Sequence, residues 1–96
     1  MVIKKTGKEA LILLNEKSEN KESFNYEEIR KEVYKRLGNF EGGLGKKFLD
    51  SLEYLENRSI IKYNSKTEKY EFLEKIGINS FKNNPYLDLI WKRSIK

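Results

Sequence analysis

Lys46 and Lys47 follow directly on Gly42-Gly43-Leu44-Gly45. Glycines ahead of a lysine can cradle a phosphate. A P-loop, however, needs G-x-x-x-x-G-K-[ST] after a strand, and neither that spacing nor the strand is present. The acids offer pairs such as Asp50 with Glu53 and Glu27 with Glu28, but nothing around them builds a pocket or raises a carboxylate pKa. The chain has no His and no Cys. That removes the commonest general base and metal ligand, thiolate metal sites, disulfides, and every Ser-His or Cys-His nucleophile. The expectation is a protein that is not an enzyme, with no catalytic residues, no metal and no cofactor.

Charge is the chemistry that remains. Twenty Lys and Arg against 15 Asp and Glu give a net charge of +5 over 96 residues. A basic balance points to an anionic partner such as nucleic acid. The excess lies in the ends. Lys4, Lys5 and Lys8 give residues 1–8 a charge of +3. Lys75, Lys82, Lys92, Arg93 and Lys96 against Asp88 give residues 75–96 a charge of +4, which leaves −2 for residues 9–74. Residues 25–58 hold seven basic and seven acidic side chains and are neutral. A chain of this length is one domain.

The elements that must position these charges show in periodicity and caps. Thr6 is suited to cap a first helix beginning near Gly7. Residues 10–14 are five adjacent apolar residues, which on a helix point all round, so that helix is either deeply buried or covered by a second subunit. Phe24 suits a short extended segment. Asn25 and Glu28 have capping-box spacing, and Tyr26, Ile29, Val33 and Leu37 form one stripe of a second helix that Gly38 ends. Lys31 and Lys35 face outward from it, with Arg30 and Arg36 beside them. Residues 38–45 hold four glycines and predict a turn, with Phe40 as its anchor in the core. A third helix is expected over 44–58, with Leu44, Phe48, Leu52 and Leu55 buried. Lys46, Asp50, Glu53 and Asn57 lie opposite, and Lys47, Ser51, Tyr54 and Arg58 run along a border. The period then changes to two. Residues 59–63 and 68–73 read as strands around the turn residues Asn64-Ser65-Lys66-Thr67. Asn84-Pro85 starts a last helix with Leu87, Leu89, Ile90 and Trp91.

The fold class is therefore α+β and mostly helical. The order of helix, helix, glycine turn, helix, hairpin and C-terminal helix resembles the winged helix-turn-helix superfamily over about residues 6–73. The run Leu52-x-x-Leu55-x-x-x-x-Ile60-Ile61 carries the resemblance, because it leads the third helix straight into the first wing strand. The glycine turn is longer than the tight turn of the simplest such units. The resemblance implies residues 1–76 as a winged-helix domain and 77–96 as a C-terminal extension. It implies a third helix that enters the major groove of double-stranded DNA, with Lys46, Lys47, Asp50, Ser51 and Tyr54 toward bases or phosphates. Lys31 and Lys35 of the second helix and Lys66 and Lys69 of the wing would add backbone contacts.

The apolar surface of the first and last helices exceeds what a three-helix core needs. That suggests a homodimer through Leu87, Ile90 and Trp91, with two recognition helices spaced along the DNA. The resulting expectation is a sequence-specific transcriptional regulator, cytoplasmic and nucleoid-associated, with no membrane partner: the longest apolar run is five residues, and the N-terminal residues lack a signal-peptide pattern. The rival is a winged-helix module that binds protein rather than DNA, which the neutral middle favours. An aromatic platform for single strands, from Tyr54, Tyr63, Tyr70 and Phe72, is the weaker idea because a face shared by Tyr70 and Phe72 should cover the helices.

Overall fold

A helix with apolar residues at 10–14 keeps no polar face over that stretch, so it must be surrounded. The computed structural model, which describes residues 4–38 and 42–95, surrounds it. Helix α1 (Lys5–Glu19) packs against α2 (Tyr26–Leu37), α3 (Lys46–Asn57) and α4 (Pro85–Ile95). Its Ala10, Leu11, Leu13 and Leu14 meet Ile29 and Val33, Phe48, Leu52 and Leu55, and Leu87, Ile90 and Trp91 in one core. Burial inside the chain accounts for the apolar run.

Strands β1 (Ile61–Asn64) and β2 (Lys69–Phe72) form an antiparallel hairpin, with Ile61 opposite Phe72 and Tyr63 opposite Tyr70. The segment between α1 and α2 joins this hairpin. Phe24 forms a β-bridge to Tyr70, its N–H donating to Tyr70 O at 3.0 Å and its carbonyl accepting from Tyr70 N at 2.6 Å. The Phe24 ring is fully buried and stacks on Tyr70 at 5.4 Å, with Phe72 at the same distance. The described residues thus make a small α+β protein of four helices and a two-stranded hairpin. No helix among them is long and apolar enough to cross a membrane.

Local chemistry sets most boundaries where the sequence places them. Asn25 and Glu28 close a full capping box at the start of α2. Gly38 ends α2 at a φ of 87°, in the left-handed region that favours glycine. Asn84 Oδ1 accepts from Leu87 N at 3.1 Å and caps α4 ahead of Pro85. Other boundaries move. Helix α1 begins at Lys5, and Thr6 lies inside its first turn rather than capping it. Helix α3 begins at Lys46, so Leu44 is a buried residue of the preceding turn. The first strand starts two residues late because Ser59, at φ 59°, breaks the chain out of the helix before pairing can begin. Phe40 lies outside the described residues.

Candidate functional site

The turn before α3 determines where Lys46 and Lys47 project, and neutral hydrogen bonds hold it. Leu44 N–H donates to Tyr26 Oη at 2.9 Å, which ties the turn to the first residue of α2. A Cβ added at Gly43 would meet that same hydroxyl at 2.9 Å, so only glycine allows the approach. Thr6 Oγ1 donates to Gly43 O at 3.2 Å, which ties the turn to α1. Gly45 then takes a φ of 90° as the N-cap of α3, with no side-chain cap. A Cβ there would lie 3.4 Å from Lys4 Cδ, so the Lys4 side chain runs along the Gly45 backbone. The first turn of α1 and the first turn of α3 therefore share one edge. Lys4, Lys5, Lys8 and Lys46 are exposed on it, and Lys47 is half-buried with its ammonium 5.9 Å from the Tyr86 ring centroid.

The other residues expected to contact DNA scatter. Ser51 is 1% exposed, and its hydroxyl donates to Lys47 O at 2.8 Å. It is therefore a helix-internal residue, because the α3 border turns inward against the core at that position. Tyr54 is half-buried against the C-terminal segment. Its ring stacks on Phe81 at 5.7 Å, and its hydroxyl accepts from Arg58 Nη1 at 3.2 Å. Asp50 lies at a cleft of about 250 Å³ between α3 and the start of α4, with Glu53, Asn57, Asn84 and Tyr86. Lys66 is exposed at the hairpin tip, where Asn64 Oδ1 accepts from Lys66 N at 2.9 Å. Lys69 is tied down, its Nζ 3.2 Å from Glu28 Oε2 while the other Glu28 oxygen serves the capping box. Lys31 and Lys35 are exposed on a groove between α1 and α2 that also holds Glu16, Glu22, Glu28 and Glu32.

That groove is dominated by Arg36. Its guanidinium forks onto Glu16 at 2.8 and 3.1 Å, and reaches Glu9 and Glu32 at 3.3 Å each. The hydrogen bonds from Arg36 hold the Glu16 carboxyl below the usual carboxylate range, and Glu16 in turn raises Arg36. On the hairpin, burial raises the Tyr70 hydroxyl, with the Glu56 carboxylate and Tyr63 adding to the effect.

Leu87, Ile90 and Trp91, expected at a dimer interface, are 3%, 1% and 6% exposed. Trp91 packs on Phe81 at 5.8 Å. These residues are spent inside the monomer because α4 lies along α1 and completes the core. The outward face of α4 is instead Tyr86, Leu89 and Arg93.

The sequence reading singles out Lys46 and Lys47, and the fold sets Lys4 and Lys8 on the same edge. The +3 charge of residues 1–8 was visible, and only the contact across Gly43 and Gly45 shows where it goes. Compared with protein-family models, curated proteins and solved structures, the chain matches none.

Proposed function

We propose that this chain is a winged-helix domain that binds double-stranded DNA through the start of α3, as a regulator of transcription. The element order and the docking of the hairpin on the α1–α2 connection support that reading. The observation that carries it is the start of α3 itself. Exposed Lys46 stands on a helix whose N-cap glycine supplies no side-chain acceptor, so a cation and the positive end of a helix occur together. That combination suits a backbone phosphate. The reading assigns no catalytic role and needs no second copy, since the apolar residues once expected at a dimer interface are buried in one chain.

The test is a salt titration of binding to random-sequence duplex DNA by fluorescence anisotropy. The wild type should bind with a steep negative dependence of log K on log salt, and Lys46→Gln with Lys47→Gln should weaken binding and flatten the slope by about 0.9 per lost phosphate contact. No binding even at low salt would sink the reading.

A second reading is favoured by a specific feature. Beyond Lys46, the exposed residues of α3 are Leu49, Glu53, Glu56 and Asn57, and Leu49 is 47% exposed. An acidic row with an exposed leucine suits a basic protein surface better than a phosphate backbone. Loss of DNA binding in the titration would select this reading.

A further inference from the structure

We infer that the duplex docks on the lysine edge shared by α1 and α3, with α3 meeting the DNA end-on and α1 contributing Lys4 and Lys8 to the phosphate backbone. The inference rests on the DNA-binding reading and adds a second segment of chain to its surface. Two independent tethers build the edge. Thr6 Oγ1 donates to Gly43 O at 3.2 Å, and the Lys4 stem lies along Gly45. Together they set the first turn of α1 beside the first turn of α3, across about forty residues of sequence.

Distance from carboxylates separates this edge from the α2 groove, where Lys31 and Lys35, also unpaired among the described residues, stand beside Glu16, Glu22, Glu28 and Glu32. Among the described residues, no ion pair holds Lys4, Lys8 or Lys46, whereas Lys17, Arg30, Arg36, Lys62, Lys69 and Lys92 are each within salt-bridge distance of a carboxylate. Unpaired ammonium groups gathered in one place are the arrangement that releases counterions when a polyphosphate binds.

Two features turn the helix end toward the duplex. Farther along α3 the outward side chains include Asp50, Glu53 and Glu56, which repel phosphates if the helix lies lengthwise in a groove. The C-terminal segment also flanks that length, with Tyr54 on Phe81 and Tyr86 beside Lys47. The edge suits DNA over a lipid surface. Among the described residues 4–8 and 42–46, every exposed residue is lysine or glycine, so these residues present no apolar side chain to insert between lipids.

The test compares wild type, Lys4→Gln with Lys8→Gln, and Lys31→Gln with Lys35→Gln on a random-sequence duplex across a salt series. Glutamine keeps the stem that packs on Gly45, and circular dichroism melts check that each variant folds as the wild type does. The edge variant should lose about 2 units of salt slope, the sum for two phosphate contacts. The groove variant should keep the wild-type slope. An unchanged slope in the edge variant, with wild-type binding intact, would overturn this inference and leave the α3 reading standing. No wild-type binding would remove both. Binding to phosphatidylserine vesicles without binding to DNA would replace the partner and overturn the inference. Loss of slope in the groove variant alone would move the duplex to α2.

Discussion

The lysine edge and the Arg36 face hold themselves together in opposite ways. At Arg36 the charges are consumed by one another: a single guanidinium serves Glu9, Glu16 and Glu32 between α1 and α2. At the lysine edge the scaffold is neutral. Tyr26 Oη and Thr6 Oγ1 fasten the glycine turn by hydrogen bonds, and Lys4 adds only its apolar stem along Gly45. Sequence alone makes the two regions look alike, since each is a stretch with several basic residues. Pairing distinguishes them. A charge already engaged within the chain gains little from a partner, whereas an unpaired one offers the partner its full interaction. On the proposed reading the DNA surface lies at the ends of α1 and α3, while Lys31 and Lys35 on the groove side of α2 stand among the carboxylates of Glu16, Glu22, Glu28 and Glu32.

The sharpest way to break the comparison is to unfasten the edge without touching a charge. Gly43→Ala puts a Cβ 2.9 Å from Tyr26 Oη, so either the hydroxyl or the turn must move. The expected cost is about 1–3 kcal/mol from overpacking and the strained hydrogen bond to Leu44, read as a lowered denaturation midpoint in urea. DNA affinity should fall with it, because Lys46 and Lys4 lose their common setting. Tyr26→Phe removes the hydroxyl, so Gly43→Ala should cost less in that background than in the wild type. Equal costs in the two backgrounds would show that the clash lies elsewhere.

The next largest effect belongs to the paired face. Arg36→Ala leaves three carboxylates facing each other without their cation. The expected destabilisation is about 1 kcal/mol, because the guanidinium is partly solvated and such pairs are screened. Unlike the edge variants, it should leave the salt slope of DNA binding as in the wild type. Arg36→Lys should recover only part of the loss, since an ammonium cannot fork onto Glu16 while reaching two further carboxylates. A large drop in DNA affinity in a folded Arg36→Ala protein would erase the distinction between the two faces.

What the sequence made legible here is what residues do to near neighbours. The capping box at Asn25 and Glu28, the Asn84-Pro85 start, the stop at Gly38 and the hairpin turn at Asn64 each act over two to four residues. Each shows in the chain as spacing. What stayed hidden acts across the fold. Thr6 has the chemistry of a cap, yet it spends its hydroxyl on Gly43 O, because that carbonyl passes close by only once α1 and the glycine turn have packed. Ser51 falls on the border of the α3 wheel, and the border turns inward where Lys47 O accepts its proton. Trp91 looked like surplus because the core was counted over three helices, and α4 makes the fourth. The pairing of Lys69 with Glu28, 41 positions away, could not be read from the hairpin alone.

The smallest effect tests the paired face by pH. The Arg36 hydrogen bonds hold the Glu16 carboxyl below its ordinary value of 4.5 in the folded chain. A carboxylate with a lowered folded-state pKa contributes stability that is present above its unfolded pKa and is lost as pH falls through the folded one. Glu16→Gln should therefore melt a degree or two below the wild type near neutral pH, a shift of order a few tenths of a kcal/mol for so solvated a pair. The gap should close as pH drops below the ordinary carboxylate value of 4.5 and through the lowered folded-state one, where the wild-type carboxyl takes up its proton and resembles the amide. The measurement is a set of thermal melts by circular dichroism across that range for both proteins. A gap that persists at the acid end would mean that the substitution costs stability by a route other than the lost charge, since glutamine keeps the same stem. The Arg36 face would then be held by neutral contacts, as the lysine edge is, and charge pairing would no longer tell the two regions apart.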